Sequence, residues 1–174
     1  MATIPFAQID AFASKAFEGN QACVMPLDAF LPDETLQKIA AENNVAETAF
    51  IVAAGEGTWE LRWFTPAVEV PLCGHATLAT GHYLYSVLGY AGDQIRFQTR
   101  KSGDLFVSQL EDGRLEMDFP VQQATDTEND AEIPDALGKP PIRSFVGPCY
   151  VAMFQTADAI ECQTQDPDTV TTLC

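Results

Sequence analysis

Basic residues are scarce in this chain. Nine Lys and Arg face 25 Asp and Glu, giving a formal charge of −16 and a pI near 4.1. Such a surface repels phosphate backbones, which argues against nucleic-acid binding, and it repels anionic membranes. No run of eighteen apolar residues is present, so no membrane-spanning helix is predicted. Met1 to Asp10 lacks the basic and apolar blocks of a signal peptide, and a cytoplasmic home is the expectation. Cysteine is unpaired in pattern. Cys23, Cys73, Cys149, Cys162 and Cys174 are odd in number, and no two have CxxC spacing. Neither a disulfide framework nor a zinc site is predicted; free thiols in a reducing compartment are. A phosphate loop, a dinucleotide glycine fingerprint and a serine-centred nucleophile elbow are all missing. So are repeats of solenoid period.

What is present reads as globular. The chain has 174 residues, 47% of them hydrophobic and 20% charged, enough for one core, or one domain plus part of a second. Strands are predicted over Ile4–Phe12, Ala22–Met25, Thr48–Ala53, Trp59–Phe64, Ile95–Thr99, Leu105–Gln109 and Leu115–Phe119. Gly55-Glu56-Gly57 makes 48–64 a hairpin. A first helix opens at Leu31-Pro32-Asp33-Glu34, where proline and carboxylates suit the positive end. Asn43-Asn44 can close it. From His75 to Leu88 apolar residues (Ala76, Leu78, Ala79, Leu84, Val87, Leu88) cover nearly every side. A helix apolar all round is buried all round. In a strand-rich chain this predicts an α+β fold, a sheet wrapped around a central helix. Residues 122–132 read as an acidic linker. Beyond it one clear strand, Cys149–Phe154, and a weak helix from Ala157 are expected. Residues 1–120 therefore form a first domain, and 121–174 the linker and a second domain cut short.

Three places suit chemistry. Pro71-Leu72-Cys73-Gly74-His75-Ala76-Thr77 feeds a glycine turn into the buried helix. Its free N–H groups and dipole can hold a carboxylate or an oxyanion. Gly74 would admit a ligand close to the backbone, and His75 stands at the mouth as a proton carrier for neutral pH. An ordinary helix cap with a half-buried histidine fits the same spacing. Glu47 sits at a helix-to-strand junction among Val45, Ala46, Thr48, Ala49 and Phe50. Apolar surroundings favour the neutral form of a carboxyl and so suit a proton shuttle. A solvent-facing acid at a strand start is the alternative. Cys73, just ahead of a helix N-terminus, can be acidified there into a base or nucleophile, or can simply fill space. Asn20, after Gly19 in a loop, can donate to a ligand or satisfy its turn. Glu69, Asp104 and Asp118 read as solvated or turn residues.

The motifs occur in a telling order. Phe17-x-Gly19-Asn20-Gln21 comes first, then Asn44-x-x-Glu47-Thr48-Ala49-Phe50. Arg62-Trp63-Phe64-Thr65-Pro66, the Glu69–Thr77 run and Thr99-x-x-Ser102-Gly103-x-Leu105 follow. From Ile4 to Phe119 this series resembles the amino-terminal half of the PhzF-like phenazine-biosynthesis family. The resemblance implies a diaminopimelate-epimerase-like fold, two lobes each with a curved mixed sheet around a central helix, and an active site between them. It implies a cofactor-independent, metal-free isomerase that moves protons on a small carboxylate-bearing substrate, and a homodimer. PhzF itself isomerises trans-2,3-dihydro-3-hydroxyanthranilate. The family's proton-transferring glutamate falls on Glu47 and its histidine on His75, with Asn20, Gly74 and neighbours such as Cys73 and Ala76 lining the pocket. In the epimerase branch a cysteine in the place of Cys73 acts as a base, which gives a thiol-based epimerase as the second reading. A non-catalytic, self-associating half-domain is the third. The family's second-lobe motif, like Asp-Pro-Val-Thr-Gly-Ser-Ala, has no counterpart here: Asp166-Pro167-Asp168-Thr169 shares only its opening. The expectation is a truncated second lobe and a chain that is inactive by itself.

Overall fold

The structure is a computed structural model. It describes residues 3–159 apart from 16, 120, 122, 128–133, 135–136, 148–149 and 157. The chain divides into two compact units, Met1–Phe119 and Pro120–Cys174.

The first unit is one eight-stranded sheet and two crossover helices. In chain order the elements are β1 (Ala7–Ala11), β2 (Asn20–Leu27), α1 (Asp33–Asn43), β3 (Glu47–Gly55), β4 (Thr58–Phe64), β5 (Glu69–Val70), α2 (Gly74–His82), β6 (Gln94–Thr99), β7 (Asp104–Gln109) and β8 (Leu115–Asp118). Spatially the order is β1-β2-β3-β4-β6-β7-β8, with β5 beside β4. Two neighbouring pairs run parallel. The β2–β3 pair is bridged by α1, and the β4–β6 pair by the segment holding α2, because parallel neighbours need a crossover. The other pairs are antiparallel.

Each helix takes one face of the sheet. Alternation along a strand sends Val24, Ala49, Ile51, Leu61, Trp63, Phe97 and Val107 to the face that carries α2, where they meet Ala76, Ala79, Tyr83 and Leu84. Met25, Phe50 and Phe64 point the other way, onto Leu36 and Ala40 of α1. Each large side chain removed from water in this way contributes roughly 1.5–3 kcal/mol. The ends of α1 follow its sequence. Pro32 precedes the first turn, which holds Asp33 and Glu34, and Asn44 closes the helix in the left-handed conformation (φ 50°, ψ 41°).

The buried helix is made of small residues. Ala76, Thr77, Ala79, Thr80 and Gly81 are buried. The two threonines satisfy their hydroxyls within the helix: Thr77 Oγ1 donates to the Cys73 carbonyl (2.6 Å) and Thr80 Oγ1 to the Ala76 carbonyl (2.7 Å). A Cβ at Gly81 would lie 2.8 Å from Val107 Cγ1, so β7 packs on bare backbone there. After His82 the helix widens into a π turn, Tyr83–Val87. Burial ends at Tyr85, and Val87 and Leu88 are more than half exposed. The prediction of an all-round buried helix to Leu88 is thus too long.

Other differences have plain causes. β5 and β10 (Arg143–Val146) escaped notice because they are two and four residues long. β9 (Thr125–Asp126) lies inside the stretch read as linker. With β11 (Tyr150–Met153), β9 and β10 form the second unit's three-stranded antiparallel sheet, in the order β11-β10-β9. Cys149, Cys162, Cys174, the Asp166 motif and Ala157 lie outside the described residues. No described helix is long and apolar enough to cross a membrane.

Glu69 is not a solvated acid. Buried Arg62, on the α1 face of β4, donates from Nε and Nη2 to Glu69 Oε1 and Oε2, both at 2.8 Å. Its Nη2 is also 2.9 Å from Asp33 Oδ1. The guanidinium lies 5.2 Å from the centre of the Phe30 ring and 5.0 Å from that of Phe64. Arg100 adds a second cation, 3.5 Å from Asp33 and 3.6 Å from Glu69. Hydrogen bonds from Arg62 hold both carboxyls below their ordinary range. This cluster ties the start of α1 to β4 and β5. Replacing Arg62 with Met strands the two carboxylates and is expected to lower stability by about 3 kcal/mol in urea unfolding. A depressed carboxyl contributes stability above its unfolded pKa and loses it as pH falls. The wild-type urea midpoint therefore drops as pH goes below 4.5, the ordinary glutamate value, and Arg62→Met flattens that acid limb.

Candidate active site

The site forms where β3 begins and α2 begins. Glu47 is the first residue of β3. It shares the parity of Ala49 and Ile51, so its side chain points to the face that carries α2. Parallel pairing sets Glu47 opposite Ala22 of β2. On the helix side, Cys73 is the N-cap, with extended backbone (φ −145°, ψ 114°). The Thr77 N–H donates to its carbonyl at 3.2 Å, and Gly74 and His75 form the first turn.

These two starts bring three side chains together. His75 Nε2 lies 3.0 Å from Glu47 Oε2, and the two side chains are only 11% and 18% exposed. The pair is within ion-pair reach but out of line for a hydrogen bond. Both atoms are fully buried and have no other hydrogen-bond partner. A small rotation of the imidazole would bring an N–H at Nε2 into line with the carboxylate and satisfy both atoms. On the other ring nitrogen, His75 Nδ1 is 3.5 Å from Cys73 Sγ.

Cys73 corrects an expectation. Of its two readings, acidified thiol or buried filler, the first fails: burial above all, with the Glu47 carboxylate acting in the same direction, pushes the thiol up to about 12. The backbone amides of Ala76 and His75 oppose the rise without cancelling it. At neutral pH the group is a thiol, not a base, which weighs against the thiol-epimerase reading.

The remaining predicted residues lie around this centre. Asn20 begins β2 and is exposed, two residues ahead of Ala22, the partner of Glu47. The side chain of Ala76 is wholly buried in the core under the sheet. A Cβ at Gly74 would meet the Phe119 ring at 3.5 Å, so that ring covers the glycine expected to face a ligand. Phe119 itself was missed, although it continues the inward alternation of Leu115 and Met117. A cleft of about 530 Å³ lies at another place, between β1, the later turns of α2 and the β7–β8 turn, lined by Asp10, Phe12, Leu78, His82 and Arg114. None of Glu47, Cys73 and His75 lines it.

Comparison with known proteins settles the lineage. The model of the phenazine biosynthesis-like protein family matches residues 9–152. The chain belongs to this family. An uncharacterized isomerase of Pseudomonas aeruginosa is 50% identical over 139 residues, covering 80% of this chain and 52% of that protein. The human phenazine biosynthesis-like domain-containing protein is 42% identical over 128 residues, covering 70% of this chain and 44% of that protein. Among solved structures, a PhzF-family phenazine biosynthesis protein of Enterococcus faecalis superposes with a TM-score of 0.87 at 35% identity, over 98% of this chain and 65% of that one. A predicted epimerase of Pseudomonas aeruginosa shares the fold, with a TM-score of 0.77 at 20% identity over 98% of this chain and 66% of that one. The fold is thus α+β of the diaminopimelate-epimerase type, as the family's motifs led one to expect. The chain spans about half the length of the curated relatives it matches.

The raised thiol is open to measurement. In the native protein at neutral pH, Cys73 should resist iodoacetamide, and it should label readily once urea unfolds the chain, as peptide mass spectrometry would show. Fast native labelling would mean a thiolate. The sign for stability is also set. The unfolded thiol releases its proton from about 9.0 and the folded one holds it to about 12, so Cys73 costs stability as pH climbs through that window. Cys73→Ala should soften the alkaline fall.

Proposed function

We propose that the whole protein is a cofactor-independent isomerase in which Glu47 carries a proton between two positions of a small, carboxylate-bearing metabolite of the dihydro-hydroxyanthranilate kind. The observation that supports this most is the Glu47–His75 contact: a carboxyl and an imidazole 3.0 Å apart and largely shielded from water, whose facing atoms, Oε2 and Nε2, have no hydrogen-bond partner. A carboxyl that is not spent on an ion pair with Arg or Lys is free to gain and lose a proton. His75, at 3.0 Å, stands where a small ring rotation would let it hydrogen-bond the carboxyl and fix its direction. The first turn of α2 offers the positive end of the helix dipole for the substrate's carboxylate. The family relation and the isomerase relatives fit the same reading.

The chemistry needs little more. Glu47, as carboxylate, takes a proton from a carbon made acidic by neighbouring unsaturation, and as acid returns it elsewhere on the same carbon framework. Cys73, kept as a thiol, packs beside the pair and does not compete for the proton.

The test is solvent-deuterium exchange in the full-length enzyme, followed by proton NMR with trans-2,3-dihydro-3-hydroxyanthranilate as the first substrate tried. Glu47→Gln preserves shape and removes the titrating group, so exchange should fall about 10²–10⁴-fold. Undiminished exchange in that variant would remove Glu47 from the role.

A further inference from the structure

Three chemically distinct donors meet at the site: a Glu47 carboxylate oxygen, a His75 ring nitrogen and the Cys73 sulfur, all within 4.8 Å of one another. Around one tetrahedral cation, bonds of about 2.0–2.3 Å put such donors roughly 3.3–3.7 Å apart. The Glu47 oxygen and His75 Nε2 stand 3.0 Å apart, while Cys73 Sγ faces the other ring nitrogen, Nδ1, at 3.5 Å; with one atom from each residue within 4.8 Å, a rotation of the imidazole or of the thiol gathers all three donors around one cation. The charge also balances. Thiolate and carboxylate together cancel a divalent ion, and a neutral imidazole completes the set. Glu47 forms no ion pair with Lys or Arg among the described residues, so no cation competes there. Glu47 Oε2 and His75 Nε2 are buried and unpartnered, so coordination breaks no hydrogen bond of theirs and satisfies two orphaned atoms.

We infer that Glu47, Cys73 and His75 form a binding site for one thiophilic divalent cation of the zinc class, and that the ion silences the proton shuttle. On binding, the Cys73 S–H proton leaves to solvent as the sulfur–metal bond forms. Nothing is oxidised or reduced. A water fills the fourth position, as in sites with three protein ligands. The ion then holds the Glu47 oxygen that would carry the proton. The silencing rests on the proton-transfer reading above; the binding does not. Sequence spacing hid the site because Glu47 lies 26 residues before Cys73 and joins it only through the fold.

Cobalt(II) is the probe for binding. One equivalent added to the protein should produce the near-ultraviolet thiolate-to-cobalt charge-transfer band. Cys73→Ser should lose that band, while single serine replacements at Cys23, Cys149, Cys162 and Cys174 should retain it. A second measurement uses the unaltered chain, which has only two histidines. In ring proton–nitrogen NMR, one equivalent of zinc should shift the His75 signals to those of a coordinated imidazole and leave His82 unmoved. A band that survives Cys73→Ser, no band at all, or zinc shifts at His82 rather than His75 would overturn the site. Both readouts need no substrate, so they stand or fall apart from the exchange assay. If cobalt binds at Cys73 but zinc leaves exchange in the full-length enzyme undiminished, the silencing is overturned and the site alone remains.

Discussion

Close approach of the sheet to α2 is the constraint on which the rest depends. A curved sheet reaches the backbone of a central helix only where that helix carries little bulk. Ala76, Ala79 and Gly81 supply that, and at Gly81 there is no room even for a methyl group beside Val107. Because the sheet lies so close, a residue at the very start of β3 comes within 3.0 Å of one in the first turn of α2. A bulkier helix would hold the same two side chains apart. The geometry of the Glu47–His75 contact is therefore set by alanines and a glycine that are not part of it.

Much of this was legible in the residues. Strands with regular alternation and sharp turns showed clearly, as in the hairpin around Gly55-Glu56-Gly57, since local pattern decides them. The buried helix showed through its lack of a polar face, and Glu47 through its apolar neighbours. What stayed hidden was what the fold creates. Glu69 looked solvated because its partner, Arg62, is seven residues away across a turn, on the face of β4 opposite Trp63. Cys73 stayed undecided between acidified thiol and buried filler because helix position was visible, while burial and the nearby Glu47 carboxylate were not. Phe119 looked like the end of a strand, and its cover over Gly74 depends on how β8 passes the helix. The short strands β5, β9 and β10 owe their existence to a neighbour's open edge rather than to any preference of their own.

The two faces of the sheet do different work. On the α1 face an arginine, two carboxylates and two aromatic rings form an ion-pair cluster, in which Arg62 is held by Glu69 and Asp33. On the α2 face the Glu47–His75 pair is under-committed, with a proton's worth of bonding unfilled. A group locked into a salt bridge is a poor proton carrier, so keeping the strong cation on one side of β4 leaves the carboxylate on the other side available.

The parallel pairings have a kinetic side. β3 and β4 join through a tight turn and can zip together quickly, since little chain must be closed. The β2–β3 pair must first close a loop containing α1, and the β4–β6 pair a loop containing α2. Such long-range contacts form late because their entropy is spent before any contact rewards it. Glu47 enters with the early hairpin, whereas His75 and Cys73 arrive only when the second crossover closes. The site is thus among the last features to assemble, and until then a nascent chain presents its unpaired thiol, its carboxylate and bare strand edges to whatever surrounds it.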